Sequence, residues 1–118
     1  MSGLTTIIGN QGEEAATQWL RNQGFYIVER NWRMGRYEID IIAQRWDTLH
    51  FVEVKTRHIG GWQTPYQSID ERKVRALRYA ANTYRALYRT RLNFQFDLIA
   101  VTVDDHNNCS IDYTENII

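Results

Sequence analysis

The chain has 118 residues, of which 43% are hydrophobic and 24% charged, and its formal net charge is zero. This composition predicts an ordinary globular protein with one domain over residues 1–118. The longest apolar runs are only a few residues, which excludes a membrane-spanning helix, and no secretory signal is expected. Because Cys109 is the only cysteine, an internal disulfide and a thiolate-rich zinc site are excluded, and a cytoplasmic location is expected.

The neutral sum hides an uneven distribution of charge. Residues 72–91 contain seven lysines and arginines and no acid, whereas residues 97–118 contain five acids and no lysine or arginine. Twelve of the 14 bases are arginines, whose planar guanidinium groups suit phosphate oxygens. The basic segment is therefore interpreted either as a phosphate-binding surface or as a solvated helix face.

The predicted elements run in the order helix, three strands, helix, and one or two strands. Helical periodicity covers residues 10–22 and ends at Gly24, and a second helix runs from Ser68 to about Arg89, where Ser68 and Glu71 form a capping box. Strand-like runs occupy five segments: 25–30, 37–43, 49–57, 94–103 and a short last one at 110–113. This order predicts an α/β sandwich, a mixed sheet flanked by helices.

The second predicted helix has two different faces. Its apolar face comprises Ile69, Ala76, Leu77, Ala80, Tyr84 and Leu87. A second row, called here the arginine stripe, comprises Arg75, Arg78, Arg85 and Arg89. Lys73 falls on the apolar face, where a lysine stem can pack while its amine reaches outward. The polar segment 58–67, which includes Pro65, is the one long loop predicted.

Charged side chains cluster in two adjacent predicted strands. Residues two apart in a strand share a face, so Glu38 lies beside Asp40, and Glu53 lies beside Lys55. A hairpin centred on loop 44–48 puts Asp40 opposite Glu53, and Glu38 opposite Lys55. Three carboxylates and one ammonium are thus predicted on one face of the sheet.

Two interpretations of this cluster compete. Cross-strand ion pairs on a solvated face would contribute only about 0.2–1 kcal/mol each. Converging carboxylates, by contrast, repel each other, and a divalent cation such as Mg²⁺ relieves that repulsion, so we favour a metal site. Glu13 and Lys73, both on inward helical stripes, are expected to approach it, although Glu13 also suits a first helical turn through the helix dipole.

Several short motifs occur together in this chain: Gly9-x-x-Gly12-Glu13, Asn31-Trp32-Arg33, Glu38 to Ala43, Phe51 to Arg57, and Phe96-Asp97. Through these motifs, with Lys73, Ala80 and Tyr84, most of the chain resembles the YraN-like family of small bacterial proteins. That family is similar to the PD-(D/E)XK nuclease superfamily, which includes restriction enzymes. Tyr37 stands where the family usually has glycine.

The resemblance implies a restriction-endonuclease-like fold and a metal-dependent endonuclease acting on nucleic acid, with DNA, branched or structured, as the expected substrate. Catalytic positions fall on Asp40, Glu53, Lys55 and Glu13. The implied ligands of Mg²⁺ or Mn²⁺ are Asp40, Glu53 and the Val54 carbonyl. Expected supporting and phosphate-contacting residues are Glu38, Arg57, Lys73 and the arginine stripe. A non-catalytic nucleic-acid-binding or protein-interaction module is the alternative. The sequence does not fix the oligomeric state, and a homodimer is one option.

Other chemistries are not favoured. The three histidines have no ligand-like spacing, and neither a P-loop nor a dinucleotide-binding fingerprint is present. Trp62 and Tyr66 could stack on bases or pack against the edge of the core.

Overall fold

Five strands form a mixed sheet that lies between two helices. The computed structural model describes residues 3–59 and 70–118, with side chains from residue 10 onward. The elements are α1 (Gly3–Asn22), β1 (Tyr26–Met34), β2 (Tyr37–Arg45), β3 (Thr48–His58), α2 (Glu71–Tyr88), β4 (Asn93–Val103) and β5 (Cys109–Thr114). The predicted α/β order is confirmed, including the short last strand. No helix in the described part of the chain is long and apolar enough to cross a membrane.

The strands follow one another across the sheet in the order β1-β2-β3-β4-β5. Neighbouring strands are antiparallel except for β3 and β4, which are parallel and are connected through α2. This pattern is physically required, because parallel strands need a crossover connection, whereas antiparallel strands can be joined by tight turns. The hairpin of β2 and β3 pairs Arg45 with Thr48 and Ile41 with Val52, which is the predicted register.

Each face of the sheet carries its own apolar core. The core beneath α1 contains Ala16, Leu20, Phe25, Ile41, Ala43, Val52, Ile99, Val101 and Val103. The core beneath α2 contains Trp32, Ile39, Ile42, Leu49, Phe51, Ala80, Ala81 and Tyr84. Burying a large apolar side chain contributes about 1.5–3 kcal/mol, so the two cores together hold the helices against the sheet.

Helix α1 begins earlier than the sequence predicts, at Gly3 rather than at residue 10. The β-branched residues 5–8 lower helix propensity, which explains the later predicted start. The predicted end at Gly24 is confirmed. Gly24 has a φ of 91°, and the Phe25 N–H donates to the Leu20 carbonyl at 3.0 Å, a geometry that satisfies the last carbonyls of the helix.

Helix α2 is capped by Asp70, whose side chain accepts a hydrogen bond from the Lys73 N–H at 2.9 Å. The predicted capping box is therefore wrong, because an aspartate nearer the helix takes the N-cap role and Glu71 becomes the first helical residue. Leu87, predicted on the apolar face, is 54% exposed. Ser68 itself and the predictions for Ile69, Trp62, Tyr66 and Pro65 lie outside the described residues.

Candidate active site

Strand β2 loses its regular alternation at Asp40. Ile41 packs in the core beneath α1, whereas Ile39 packs beneath α2, although residues two apart should share a face. In the ladder with β1, Ile41 pairs with Arg30 and Ile39 pairs with Trp32, whereas Asp40 has no partner. Asn31, which lies between those two β1 residues, has a φ of 53°. Regular period-2 alternation, on which the prediction of a shared face for Glu38 and Asp40 is based, therefore does not continue through Asp40.

Asp40 lies where β2 separates from β3. The ladder of β2 and β3 ends at the pair of Ile41 and Val52, one position before Asp40 and Glu53 would pair. Instead, Oδ2 of Asp40 accepts a hydrogen bond from the Val54 N–H at 2.8 Å. Asp40 therefore lies beside β3, just beyond the last paired residues of β2 and β3.

Glu38 does not join the cluster with Lys55. Its Oε2 lies 3.0 Å from Nε of Arg33, the residue that it faces across β1 and β2. The predicted cross-strand pair of Glu38 and Lys55 is wrong, because the hairpin of β2 and β3 is no longer paired at that distance from its turn.

Glu53 is a buried carboxylate held between two lysines. Its side chain is only 5% exposed, with Oε1 at 3.3 Å from Nζ of Lys55 and Oε2 at 3.2 Å from Nζ of Lys73. Lys55 comes from the same strand, and Lys73 comes from the first turn of α2. A buried charge is costly without such partners. The predicted approach of Lys73 is confirmed, and Glu53 has one ammonium partner from β3 and a second from α2.

Glu13 approaches the cluster from α1. Its Oε1 accepts a hydrogen bond from Nδ2 of Asn31 at 2.8 Å and lies 3.3 Å from Nη2 of Arg30. The neighbouring Gly12 lets α1 come close to β3, because a Cβ atom there would lie 2.0 Å from Oγ1 of Thr56. The interpretation of Glu13 as a first-turn residue is wrong, since α1 begins ten residues earlier.

The electrostatics of the cluster centre on Asp40. Burial, and then the charge of Glu53, raise the pKa of Asp40 to about 7, and Glu13 adds to the increase. The Val54 N–H and the charge of Lys73 act in the opposite direction. Near neutral pH, Asp40 therefore stands between its neutral and charged forms, and a cation placed beside it would favour the charged form.

These residues fit a hard divalent cation. Among the described residues, only the Val54 N–H donates to Asp40, so Oδ1 accepts no hydrogen bond from them. Asp40, Glu53 and the Val54 carbonyl offer the oxygen ligands that Mg²⁺ and Mn²⁺ prefer. No three His, Cys, Asp or Glu side chains within residues 10–59 and 70–118 are grouped so that they could hold an ion by themselves. Water or substrate oxygens would therefore have to complete the coordination, as is usual for Mg²⁺.

The arginine stripe lies on a different side of α2 from Lys73. Lys73 and Arg75 are two residues apart, which is about 200° around an α-helix. Arg75 and Arg78 instead line a cavity of about 680 Å³ together with Ile117, and the guanidinium carbon of Arg85 lies 4.0 Å from the ring centre of Phe94. All four stripe residues are exposed, but the fold does not bring them to Asp40 and Glu53.

Arg57, at the far end of β3, is also exposed, and its Nε donates to Oγ1 of Thr102 at 3.4 Å. It lies two residues beyond Lys55 along the strand, so its side chain can extend the basic surface of the site without contacting Glu53.

A second buried acid cluster, which was not predicted from the sequence, is centred on Asp97 in β4. Oδ2 of Asp97 accepts from Tyr113 at 2.5 Å and lies 2.6 Å from Nδ1 of His50. Its Oδ1 accepts from Nε2 of Gln95 at 3.0 Å and from the Asn116 N–H at 3.1 Å. We call these groups the Asp97 network. The only signal in the sequence was the Phe96-Asp97 motif, because the partners are far apart along the chain.

Burial raises the pKa of Asp97, but the hydrogen bonds of the Asp97 network outweigh it and hold the pKa below its usual value. For Tyr113, burial and then the bond to Asp97 raise the pKa of the phenol. An ionised carboxylate with every oxygen engaged is already stabilised, so this cluster acts as a structural link between β3, β4 and β5.

The chain is similar to many bacterial proteins that share one family description. A family model described as "Uncharacterised protein family UPF0102" matches residues 12–101, the segment that carries Glu13, Asp40, Glu53, Lys55 and Lys73. A UPF0102 protein of Porphyromonas gingivalis is 40% identical over 109 residues, which cover 92% of this chain and 81% of that protein.

Two further similar proteins carry the same family description. A UPF0102 protein of Bacteroides thetaiotaomicron is 36% identical over 90% of this chain and 87% of its own length. One of Lawsonia intracellularis is 47% identical over 65% of this chain and 58% of its own length. The match is the one that the YraN-like motifs predicted, and the chain belongs to the UPF0102 family.

Proposed function

We propose that the protein is a metal-dependent endonuclease that hydrolyses phosphodiester bonds in nucleic acid, with DNA as the expected polymer. The observation that carries this proposal is the convergence of Asp40 and Glu53 beside two lysines, with the pKa of Asp40 raised to about 7. Strongly perturbed carboxylates with a charged partner are typical of reactive sites. The single cysteine fits a reducing compartment, so we place the protein in the cytoplasm.

Each residue of the cluster has a distinct role in this proposal. Asp40, Glu53 and the Val54 carbonyl would hold Mg²⁺ or Mn²⁺. When bound, such a cation supplies Lewis acidity to the phosphate and lowers the pKa of a water. Lys55 would orient the attacking water or stabilise the charge that builds on the phosphate oxygens.

Lys73 and Glu13 would support these groups from the two helices. Lys73 neutralises Glu53 before substrate arrives, and its amine can turn to a phosphate once a cation shares the charge of Glu53. Glu13 fixes Arg30 and adds negative charge beside Asp40, which favours a cation. Arg57 and the arginine stripe would contact the backbone of a longer substrate, the stripe at a distance from the cleaved bond.

One observation favours the second candidate, a non-catalytic module that binds nucleic acid or protein. Both oxygens of Glu53 already have lysine partners, and Asp40 has a backbone donor, so the cluster can be satisfied without an ion. The two candidates differ in two respects that can be measured: only the nuclease should gain thermal stability from binding a divalent cation, and only the nuclease should cleave nucleic acid.

The test pairs thermal unfolding, with and without Mg²⁺ or Mn²⁺, with cleavage of branched, flapped and single-stranded DNA and RNA. The wild type should gain thermal stability with metal and cleave at least one substrate, and Asp40→Asn should lose both responses. Lys55→Ala should keep the metal response but cleave about 100-fold more slowly or worse, since its role is in the transition state.

Asp112→Asn is the matched control, because Asp112 is exposed on β5 and should behave like the wild type. A wild type without metal-induced stabilisation and without cleavage of any of these substrates would contradict the nuclease and favour the binding module.

A further inference from the structure

A pair of tyrosines, one half-buried and one exposed, links the hairpin of β1 and β2 to α2. The ring centres of Tyr37 and Tyr79 are 4.6 Å apart with an interplanar angle of 38°, and Tyr79 is 55% exposed. Tyr37 precedes Asp40 by three residues, about 10 Å along a strand, and Tyr79 follows Lys73 by six residues, about 9 Å along a helix. We call this pair the tyrosine platform, and it lies next to the candidate active site.

Arginines surround the platform. The guanidinium carbon of Arg36 lies 5.4 Å from the ring centre of Tyr37, and its Nη2 donates to the Tyr37 hydroxyl at 3.4 Å. A cavity of about 220 Å³ beside it is lined by Arg33, Gly35, Arg36, Tyr37 and Glu38. Arg72, exposed and seven residues before Tyr79, lies on the same side of α2. Because Arg33 is paired with Glu38, the net positive charge beside the aromatic surface comes from Arg36 and Arg72.

The platform is not explained by core packing. Tyr37 reaches only the margin of the core beneath α2, and Tyr79 belongs to neither core. Single exposed aromatic side chains are common on protein surfaces, but an aromatic pair beside arginines is the combination found on surfaces that bind single-stranded nucleic acid.

We propose that the tyrosine platform stacks an unpaired base of a single-stranded segment whose phosphate occupies the candidate active site, an inference that rests on the proposed function. Every base has an aromatic face, and an unpaired base leaves that face free, whereas the bases of a duplex are already stacked. The rim of arginines then takes the adjoining phosphates. The substrate would be a single strand, a flap or another structure with unpaired nucleotides.

The test is fluorescence anisotropy in EDTA, where metal-dependent cleavage cannot occur, with a labelled 12-nucleotide strand. The matched ligands are a strand of equal length with abasic sites and a blunt duplex. Tyr79→Leu removes the ring but keeps apolar bulk and helix propensity. It should weaken single-strand binding by about five-fold to 150-fold, the range expected for loss of one stacked base. Binding of the abasic strand and of the duplex should change less than about two-fold, and Tyr79→Trp should retain single-strand affinity.

Tyr88→Leu is the control on the same helix. Tyr88 is also exposed (56%), and its ring centre lies 4.5 Å from that of Tyr84. Tyr88 lies at the far end of α2 from Lys73. Its loss should leave single-strand affinity unchanged. Circular dichroism and the thermal midpoint establish that each variant is folded, and if Tyr79→Leu does not fold, Tyr37→Leu tests the same platform.

Three results would overturn the inference: equal losses on the abasic strand, an equal effect of Tyr88→Leu, or unchanged single-strand binding by Tyr79→Leu, whether or not that variant loses a wild-type dimer. Because binding is measured without metal, the two proposals fail separately. An inactive wild type with ring-dependent binding contradicts only the nuclease. Cleavage by the wild type, with unaltered binding by Tyr79→Leu, contradicts only the platform.

Discussion

The pKa values of two aspartates in the same sheet are shifted in opposite directions. Asp97 is fully buried, yet its pKa is held below the usual value, because four donors outweigh the effect of burial. Asp40 keeps some exposure to solvent, and burial, followed by the charge of Glu53, raises its pKa to about 7, because its one backbone donor does not outweigh them. Depth alone therefore does not set the charge state of a buried carboxylate. The number of donors and the nearest like charge decide it.

The same comparison separates structure from function. The Asp97 network is complete, so replacing any member can only remove a stabilising bond. Asp40 keeps Oδ1 without a donor among the described residues and is repelled by a neighbouring carboxylate, which is a local cost to the fold. Such costs persist where a site needs them for binding or chemistry.

The largest expected effect is at Asp97. Asp97→Asn replaces one acceptor oxygen with an amide that opposes two donors, either His50 and Tyr113 or Gln95 and the Asn116 N–H. It should lower the free energy of unfolding by about 2–4 kcal/mol at pH 7, measured with urea. Because the folded pKa of Asp97 is lowered, this penalty should shrink as the pH falls below about 4. A penalty within about 0.5 kcal/mol would contradict the structural role.

The same substitution at Asp40 should have the opposite sign. Asp40→Asn keeps an acceptor for the Val54 N–H, and its amide can donate to Glu53, so repulsion becomes attraction. The folded pKa of Asp40 is above its unfolded value, so the wild type loses stability as the pH rises from about 4 to about 7. In EDTA, the variant should gain stability over the wild type, and the gain should be roughly 1–3 kcal/mol larger at pH 8 than at pH 5.

Equal gains in stability at the two pH values would show that ionisation of Asp40 does not destabilise the fold. A loss of stability at both pH values would indicate that the cluster is an ordinary ion-pair network.

Part of this comparison could be predicted from sequence. The register of β2 and β3 follows from period-2 alternation around a short turn, and it brought Asp40 and Glu53 to the same region. Lys73 followed from helical periodicity, because an inward position four residues after another marks the buried side of a helix. These inferences succeeded because they depend on local periods.

The rest depends on contacts that no local period encodes. The loss of alternation at Asp40 accompanies the left-handed backbone of Asn31, a conformation that asparagine tolerates but that its presence in a strand does not predict. The Asp97 network joins His50 to Tyr113 through a parallel strand pair, and parallel pairing is fixed by tertiary packing of α2. Helical periodicity already separates Lys73 from the arginine stripe, but only the packing of α2 on the sheet shows that Lys73 contacts Glu53.

A smaller effect is expected at Tyr113. Tyr113→Phe removes the hydroxyl that donates to Asp97 but keeps the ring, whose centre lies 5.1 Å from that of Trp19. The free energy of unfolding should fall by about 1–2 kcal/mol, the value of one hydrogen bond to a charged group. Tyr26→Phe is the control, because Tyr26 is 70% exposed and should lose almost nothing. Equal losses in the two variants would contradict a complete network around Asp97.

The smallest effect is expected at Glu13 and is best measured as a pKa. Glu13 contributes least among the causes that raise the pKa of Asp40, and Glu13→Gln keeps an acceptor for Asn31 while removing the charge. Carboxyl ¹³C titration by NMR in EDTA should therefore show the pKa of Asp40 lowered by less than about one unit, because a nearby like charge has been removed. Glu14→Gln is the matched control. Glu14 also pairs with Arg30, at 2.9 Å, but it is exposed and does not act on Asp40. An unchanged titration of Asp40 in Glu13→Gln, or an equal shift in Glu14→Gln, would mean that Glu13 only anchors Arg30. A shift confined to Glu13→Gln would make Glu13 part of the electrostatic environment that a cation at Asp40 would experience.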